Sequence, residues 1–128
     1  MQTHTNPVHK SPTVFCDLDG TVYNYRRFEH YQTDPAVVCP DSREVLQRWR
    51  DEGVVIVMTT ARPEYLRDFT VKEMETNGIP FDQLVMGIGR GPRFLINDED
   101  PAKDERRAIG YSIKRNEGLG RCVDLKEW

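Results

Sequence analysis

Short apolar runs and amphipathic stretches alternate along most of the chain. Residues 13–16, 54–59 and 83–86 are almost continuously apolar. That is the pattern of strands buried on both faces of a parallel sheet, not of half-wet antiparallel strands. Further runs at 93–96 and, less sharply, 108–113 predict a fourth and a fifth strand. Residues 42–52 carry Val45, Leu46 and Trp49 at helical spacing, with Asp41 or Ser42 as cap and Gly53 as stop. Residues 63–77 follow the same grammar: Pro63 suits a first turn, Leu66, Phe69 and Met74 form an inner stripe, and Asn77-Gly78 ends the helix. A third, short helix is expected from an Asp100 cap through Pro101 to Arg107. This alternation predicts right-handed βαβ crossovers in a three-layer α/β domain. From Gly118 on, the sequence fits either an edge strand or an ordered tail. Residues 1–12, polar and broken by Pro7 and Pro12, read as a loose tail ahead of a single domain at 13–128.

Composition narrows the class. A chain of 128 residues can bury one core but has no room for an added substrate domain. With 38% hydrophobic and 30% charged residues it is globular, and its net charge of −3 argues against coating nucleic acid. A few arginines can still face one phosphate. Cys16, Cys39 and Cys122 are odd in number and lack metal-ligand spacing, so neither a disulfide framework nor a zinc site is expected. A reducing cytoplasm suits them. No apolar stretch resembles a signal peptide or approaches the ~20 residues of a membrane span, so a soluble protein with no membrane partner is expected.

The chemistry concentrates where strands end. The first run closes as Val-Phe-Cys-Asp-Leu-Asp-Gly-Thr over residues 14–21. Asp17 and Asp19 would share one face at the carboxyl edge of a strand, where open α/β sheets build their sites. A carboxylate there can attack phosphorus or bind metal. The plainer alternative is an acidic turn closing a strand, since Asp and Gly are turn residues. The second run ends in Thr59-Thr60-Ala61-Arg62, bringing hydroxyls and a guanidinium to the same edge. The third leads into Gly87-Ile88-Gly89-Arg90-Gly91, and the fourth into Asn97-Asp98-Glu99-Asp100.

Taken in order, these four segments resemble the motifs of the haloacid dehalogenase superfamily, whose first motif is an apolar run followed by Asp-x-Asp-x-Thr. The resemblance spans roughly residues 13–100 and implies a Rossmann-like sheet ordered 5-4-1-2-3. It implies Asp17 as nucleophile and Asp19 as general acid and base, with Thr60, the position matching the second motif, on a phosphoryl oxygen. The Ala-Arg step after Thr60 resembles that of polynucleotide phosphatases and capsule-sugar phosphatases, implying that Arg62 touches substrate. The third-motif cation is assigned to Arg90, with Arg93 as alternative, while Lys72 and Lys103 read as helix-surface charges. Magnesium is the implied cofactor, held by Asp17, the Asp19 carbonyl and either Asn97 or Asp98. Here the sequence departs from the family, whose metal motif commonly begins with two acids. An amide oxygen still offers a hard ligand.

Neither gap that could hold a cap module is long enough for one, so a capless member is expected, with an open site or a lid lent by a second subunit. An acid at Asp19 favours phosphate esters over halides. The expected activity is hydrolysis of a nucleotide or polynucleotide-end phosphate through an aspartyl-phosphate. A sugar-phosphate phosphatase is the alternative within the class, and a non-catalytic magnesium- and phosphate-binding module the alternative outside it. Tyr23, Tyr25, Phe28, His30 and Tyr31 either pack locally or stack on a base or sugar.

Overall fold

The three clearest apolar runs become three parallel strands in the computed structural model, which describes residues 11–126. They are β1 (Thr13–Asp17), β2 (Val55–Thr59) and β3 (Gln83–Val85), ordered β1-β2-β3 in one sheet. Helix α1 (Ser42–Asp51) connects the first pair and α2 (Arg67–Thr76) the second. The architecture is therefore an open parallel α/β sheet. Register aligns Asp17 with Thr59 and Thr59 with Val85, so the carboxyl ends of all three strands lie along one edge.

Burial explains why these segments fold as they do. Ser42, Val45, Leu46 and Trp49 form the inner face of α1, and the Trp49 indole donates to the Val123 carbonyl at 3.0 Å. Gly53, at φ +82°, stops that helix in the left-handed conformation expected of a C-terminal glycine. A one-turn 3₁₀ segment, Glu64–Leu66, leads into α2, which buries Thr70 and Met74. Val14, Cys16, Ile56, Met58 and Leu84 turn one face of the sheet onto these helices. Leu119 and Cys122 of the C-terminal segment join the same core, so this segment is an ordered tail rather than an edge strand.

Among the described residues the helices cover one face of the sheet, two layers where three are expected. On the opposite face of the sheet, Val57 is shielded, whereas Phe15 and Val85 are 59% and 42% exposed. Two right-handed crossovers that step in the same direction place both helices on one side. Because Phe15 and Val85 are apolar, the runs look continuous without being covered on both faces.

Residues 93–96 and 108–113 form no strand among the described residues. Phe94 and Ile96 stand 89% and 94% exposed. Arg93 reaches Asp17 at the carboxyl end of β1, whereas a parallel fourth strand would begin at the opposite end. The third helix is also absent. Asp100 does accept from the Ala102 N–H at 3.0 Å, but Asp104 adopts φ +49° and the chain closes an Asp100–Glu105 bridge after one turn. The part of the expected N-terminal tail at 1–10 lies outside the described residues.

Between β1 and α1, residues 22–39 form a closed loop. The Cys39 N–H donates to the Val22 carbonyl at 2.8 Å and the Asn24 N–H to the Val37 carbonyl at 2.8 Å. Neither this loop nor the β2–β3 connection contains a cap module. No helix among the described residues is long and apolar enough to cross a membrane.

Candidate active site

Asp17 ends β1, and the chain turns immediately. Gly20, at φ +90°, makes that turn affordable for the backbone and lets Thr21 fold back over the strand end. The Thr21 hydroxyl donates to Asp17 Oδ2 at 3.1 Å, while the Arg93 guanidinium pairs with Oδ1 at 2.7 Å. The threonine of the Asp-x-Asp-x-Thr pattern thus orients the first aspartate. The Asp17 side chain is 36% exposed, open to a ligand yet held at both oxygens.

Asp19 faces the other way, into the protein. Its Oδ1 accepts from Arg62 Nη2 at 2.8 Å, and its Oδ2 accepts from Arg62 Nε at 3.1 Å and from the Thr60 hydroxyl at 2.9 Å. The parallel register makes this meeting inevitable once the strands pair, because the loops after β1 and β2 leave side by side. Thr60 is fully buried, and its hydroxyl also accepts the Arg62 N–H at 3.1 Å. Both aspartates are held at both oxygens, but the Asp19 side chain is 10% exposed where that of Asp17 is open to solvent.

Arg62, expected to touch substrate, is only 1% exposed. It contacts Asp19, donates to the Thr70 hydroxyl at 3.1 Å, pairs with Glu73 at 3.0 Å, and lies 4.4 Å from the Tyr31 ring centroid. Glu73 in turn receives both outer nitrogens of Arg26 at 3.1 Å. Two buried carboxylates and two buried guanidinium groups therefore alternate from the strand ends into α2. Burial alone would weaken the hold of Arg62 on its proton, but hydrogen bonds and charge from Asp19 and Glu73 outweigh it and raise its affinity. Arg26 lies 5.7 Å from the Tyr23 ring centroid and 5.6 Å from that of Tyr31, tying the aromatic loop to the same network.

The remaining candidates are placed apart. Arg90 is exposed in the loop after β3; Arg93 is the arginine that reaches Asp17. Asn97 and Asp98 are exposed, with the Asp98 N–H donating to Asn97 Oδ1 at 2.9 Å and Asp98 pairing with Arg107 at 3.6 Å. No group of three His, Cys, Asp or Glu side chains among the described residues is arranged to hold a metal. The Asp17 carboxylate and the Asp19 main-chain carbonyl are hard oxygens that suit magnesium, which needs only one or two carboxylates when waters and phosphate complete its shell. The Asn97 and Asp98 half of the expected ligand set does not join them in this arrangement.

Sequence reasoning missed Glu73 and Arg26. A signal existed for Glu73, since Thr70, Glu73 and Asn77 share helical phase with Leu66 and Met74, marking polar groups on an inward stripe. The aromatic loop is divided: Tyr23 and Tyr31 are buried around Arg26, while Tyr25 and Phe28 face outward. A groove of about 450 Å³, walled by Tyr31, Ala36, Phe69, Lys72 and Glu73 among others, runs between this loop and α2; Asp17 is not among its walls.

No protein-family model matches the chain, and no curated protein matches it. Among solved structures, a crystal structure of a target protein from Vibrio cholerae is similar over 72% of this chain and 85% of that one, at 18% identity and a TM-score of 0.47.

Proposed function

We propose that the chain is a magnesium-dependent phosphomonoester hydrolase acting on a nucleotide or polynucleotide-end phosphate. The observation that carries this reading is the unequal treatment of two neighbouring aspartates: Asp17 is oriented and open at the strand ends, while Asp19 is locked to Arg62 and Thr60. An oriented, accessible carboxylate suits a nucleophile, and a held one suits a proton carrier. Asp17 attacks phosphorus and the ester P–O bond breaks, while Asp19, which must enter the cycle in its protonated form, gives its proton to the departing alkoxide and becomes the carboxylate. Water then attacks the aspartyl-phosphate, giving its proton to Asp19 and releasing phosphate with Asp17 restored. To reach the leaving group, Asp19 must exchange one Arg62 contact for substrate.

Magnesium, held by Asp17 and the Asp19 carbonyl, would neutralise charge on the phosphoryl oxygens. Arg93, rather than Arg90, is the cation beside Asp17, and Thr60 acts by holding Asp19. The resemblance to the haloacid dehalogenase superfamily belongs to the same reading. Its five-strand order, 5-4-1-2-3, would seat 93–96 beside β1, bring Asn97 and Asp98 toward Asp17 and withdraw Arg93.

The engagement of both Asp19 oxygens favours a second reading, a phosphate-binding module without turnover. Phosphate release from a generic aryl phosphate separates the two. Turnover that requires magnesium and disappears with a chelator is expected; binding of inorganic phosphate without turnover under any metal condition would favour the module.

A further inference from the structure

The C-terminal segment returns to the turn that carries the two aspartates. The Asn116 N–H donates to the Gly20 carbonyl at 2.8 Å, and the Tyr25 N–H donates to Asn116 Oδ1 at 2.7 Å. Gly118, at φ +85°, permits the approach: a Cβ there would fall 1.9 Å from the Pro40 carbonyl oxygen. These contacts fix Arg115 over Gly20, where an added Cβ would meet Arg115 Cγ at 3.5 Å and Nε at 3.8 Å. The Arg115 guanidinium stacks on Tyr25, 4.1 Å from its ring centroid. Both residues are exposed, and Gly20 adjoins both Asp19 and Thr21, the residue that holds Asp17.

A guanidinium stacked on a ring is preorganised: one plane is occupied, while the other plane and the N–H edge remain for a ligand. Bases stack on such planes, and phosphates accept from such edges. The surroundings have the same character. Phe28 is exposed and lies edge-on to Tyr31 at 6.1 Å. Despite the net charge of −3, Arg93 at Asp17 and the Arg115–Tyr25 pair over Gly20 bring two arginines and an aromatic ring to this turn.

We propose that the Tyr25–Arg115 stack is the leaving-group subsite, receiving a base on the outer guanidinium plane and a second phosphate on its edge. Resting on the phosphomonoesterase reading, this assigns the substrate as a phosphorylated end of single-stranded nucleic acid or, with the same chemistry, a nucleoside bisphosphate.

The test compares a terminally phosphorylated oligonucleotide, a nucleoside bisphosphate and an aryl phosphate, using the full chain and Arg115→Ala, Arg115→Lys and Lys72→Ala. For Arg115→Ala, the ratio of kcat/KM on the oligonucleotide to that on the aryl phosphate should fall about tenfold or more, through KM, as expected for a lost base stack. Arg115→Lys should restore only part of it, and Lys72→Ala should leave the ratio alone. An unchanged ratio for Arg115→Ala, including one produced by equal losses on both substrates, would overturn the assignment. A preference for the bisphosphate over the oligonucleotide identifies the smaller source. Anisotropy of a labelled oligonucleotide bearing the same terminal phosphate reads the subsite without turnover. Weaker binding by Arg115→Ala supports the subsite even if the hydrolase reading fails, and equal binding contradicts it.

Discussion

Asp17→Asn is expected to lower turnover of an aryl phosphate at least ~10³-fold, or about 4 kcal/mol in the barrier. The amide is nearly the same shape as the carboxylate: its one oxygen can still accept from Arg93, now 2.7 Å from Oδ1, and its NH2 can donate to the Thr21 hydroxyl, now 3.1 Å from Oδ2, so the site need not collapse. What it lacks is the negative charge and nucleophilicity needed to form a bond to phosphorus. The exposed pair with Arg93 contributes little to stability, so the fold should survive with a thermal midpoint near that of the wild type. The comparison therefore isolates chemistry from folding. Steady-state phosphate release checks it; residual activity near wild type would remove Asp17 from the nucleophile's role.

The second large effect is on stability. Replacing Glu73 with alanine should cost about 3–5 kcal/mol, because it removes the buried carboxylate shared by Arg26 and Arg62 and leaves two buried guanidinium groups with one acid, Asp19. Domains of this kind are stable by only about 5–15 kcal/mol, so the urea midpoint should drop steeply. A loss below about 1 kcal/mol would mean that water replaces the carboxylate and that the network is wetter than its burial indicates. Glu73 also joins the aromatic loop to the strand ends. Its removal should free Arg62 and, with it, the orientation of Asp19.

Some of this was readable in the chain and some was not, for physical reasons. β1, β2 and β3 were legible because each is a compact apolar run bounded by turn chemistry, and α1 because its inward stripe and Gly53 agree. Residues 93–96 have an equally apolar run, but a strand also needs an edge to pair with, and local pattern says nothing about where a glycine-rich loop will deliver it. Arg93 at Asp17 fixes that delivery at the wrong end for a parallel partner.

At the site, Asp17 and Asp19 could be brought to one edge because they lie two residues apart where β1 ends, but the shared face did not follow, since Asp19 lies beyond the strand and turns onto Arg62 and Thr60. That Arg62 meets Asp19 across 43 residues could be anticipated from adjacent parallel strands, but its complete burial could not. The Arg26–Glu73 pair, 47 residues apart, depends on both the helix phase of α2 and the path of an irregular loop. Arg115 was invisible to periodicity because the segment around it has no regular element; two hydrogen bonds through Asn116 locate it.

The most direct test is to quench the protein with acid during turnover of an aryl phosphate in the presence of magnesium and to map the peptides by mass. The account predicts a phosphoryl group on the peptide carrying Asp17, acid-stable, labile to hydroxylamine and absent from Asp17→Asn. Sustained magnesium-dependent turnover with no phosphoryl group on Asp17, under conditions that trap a control acyl-phosphate, would contradict it.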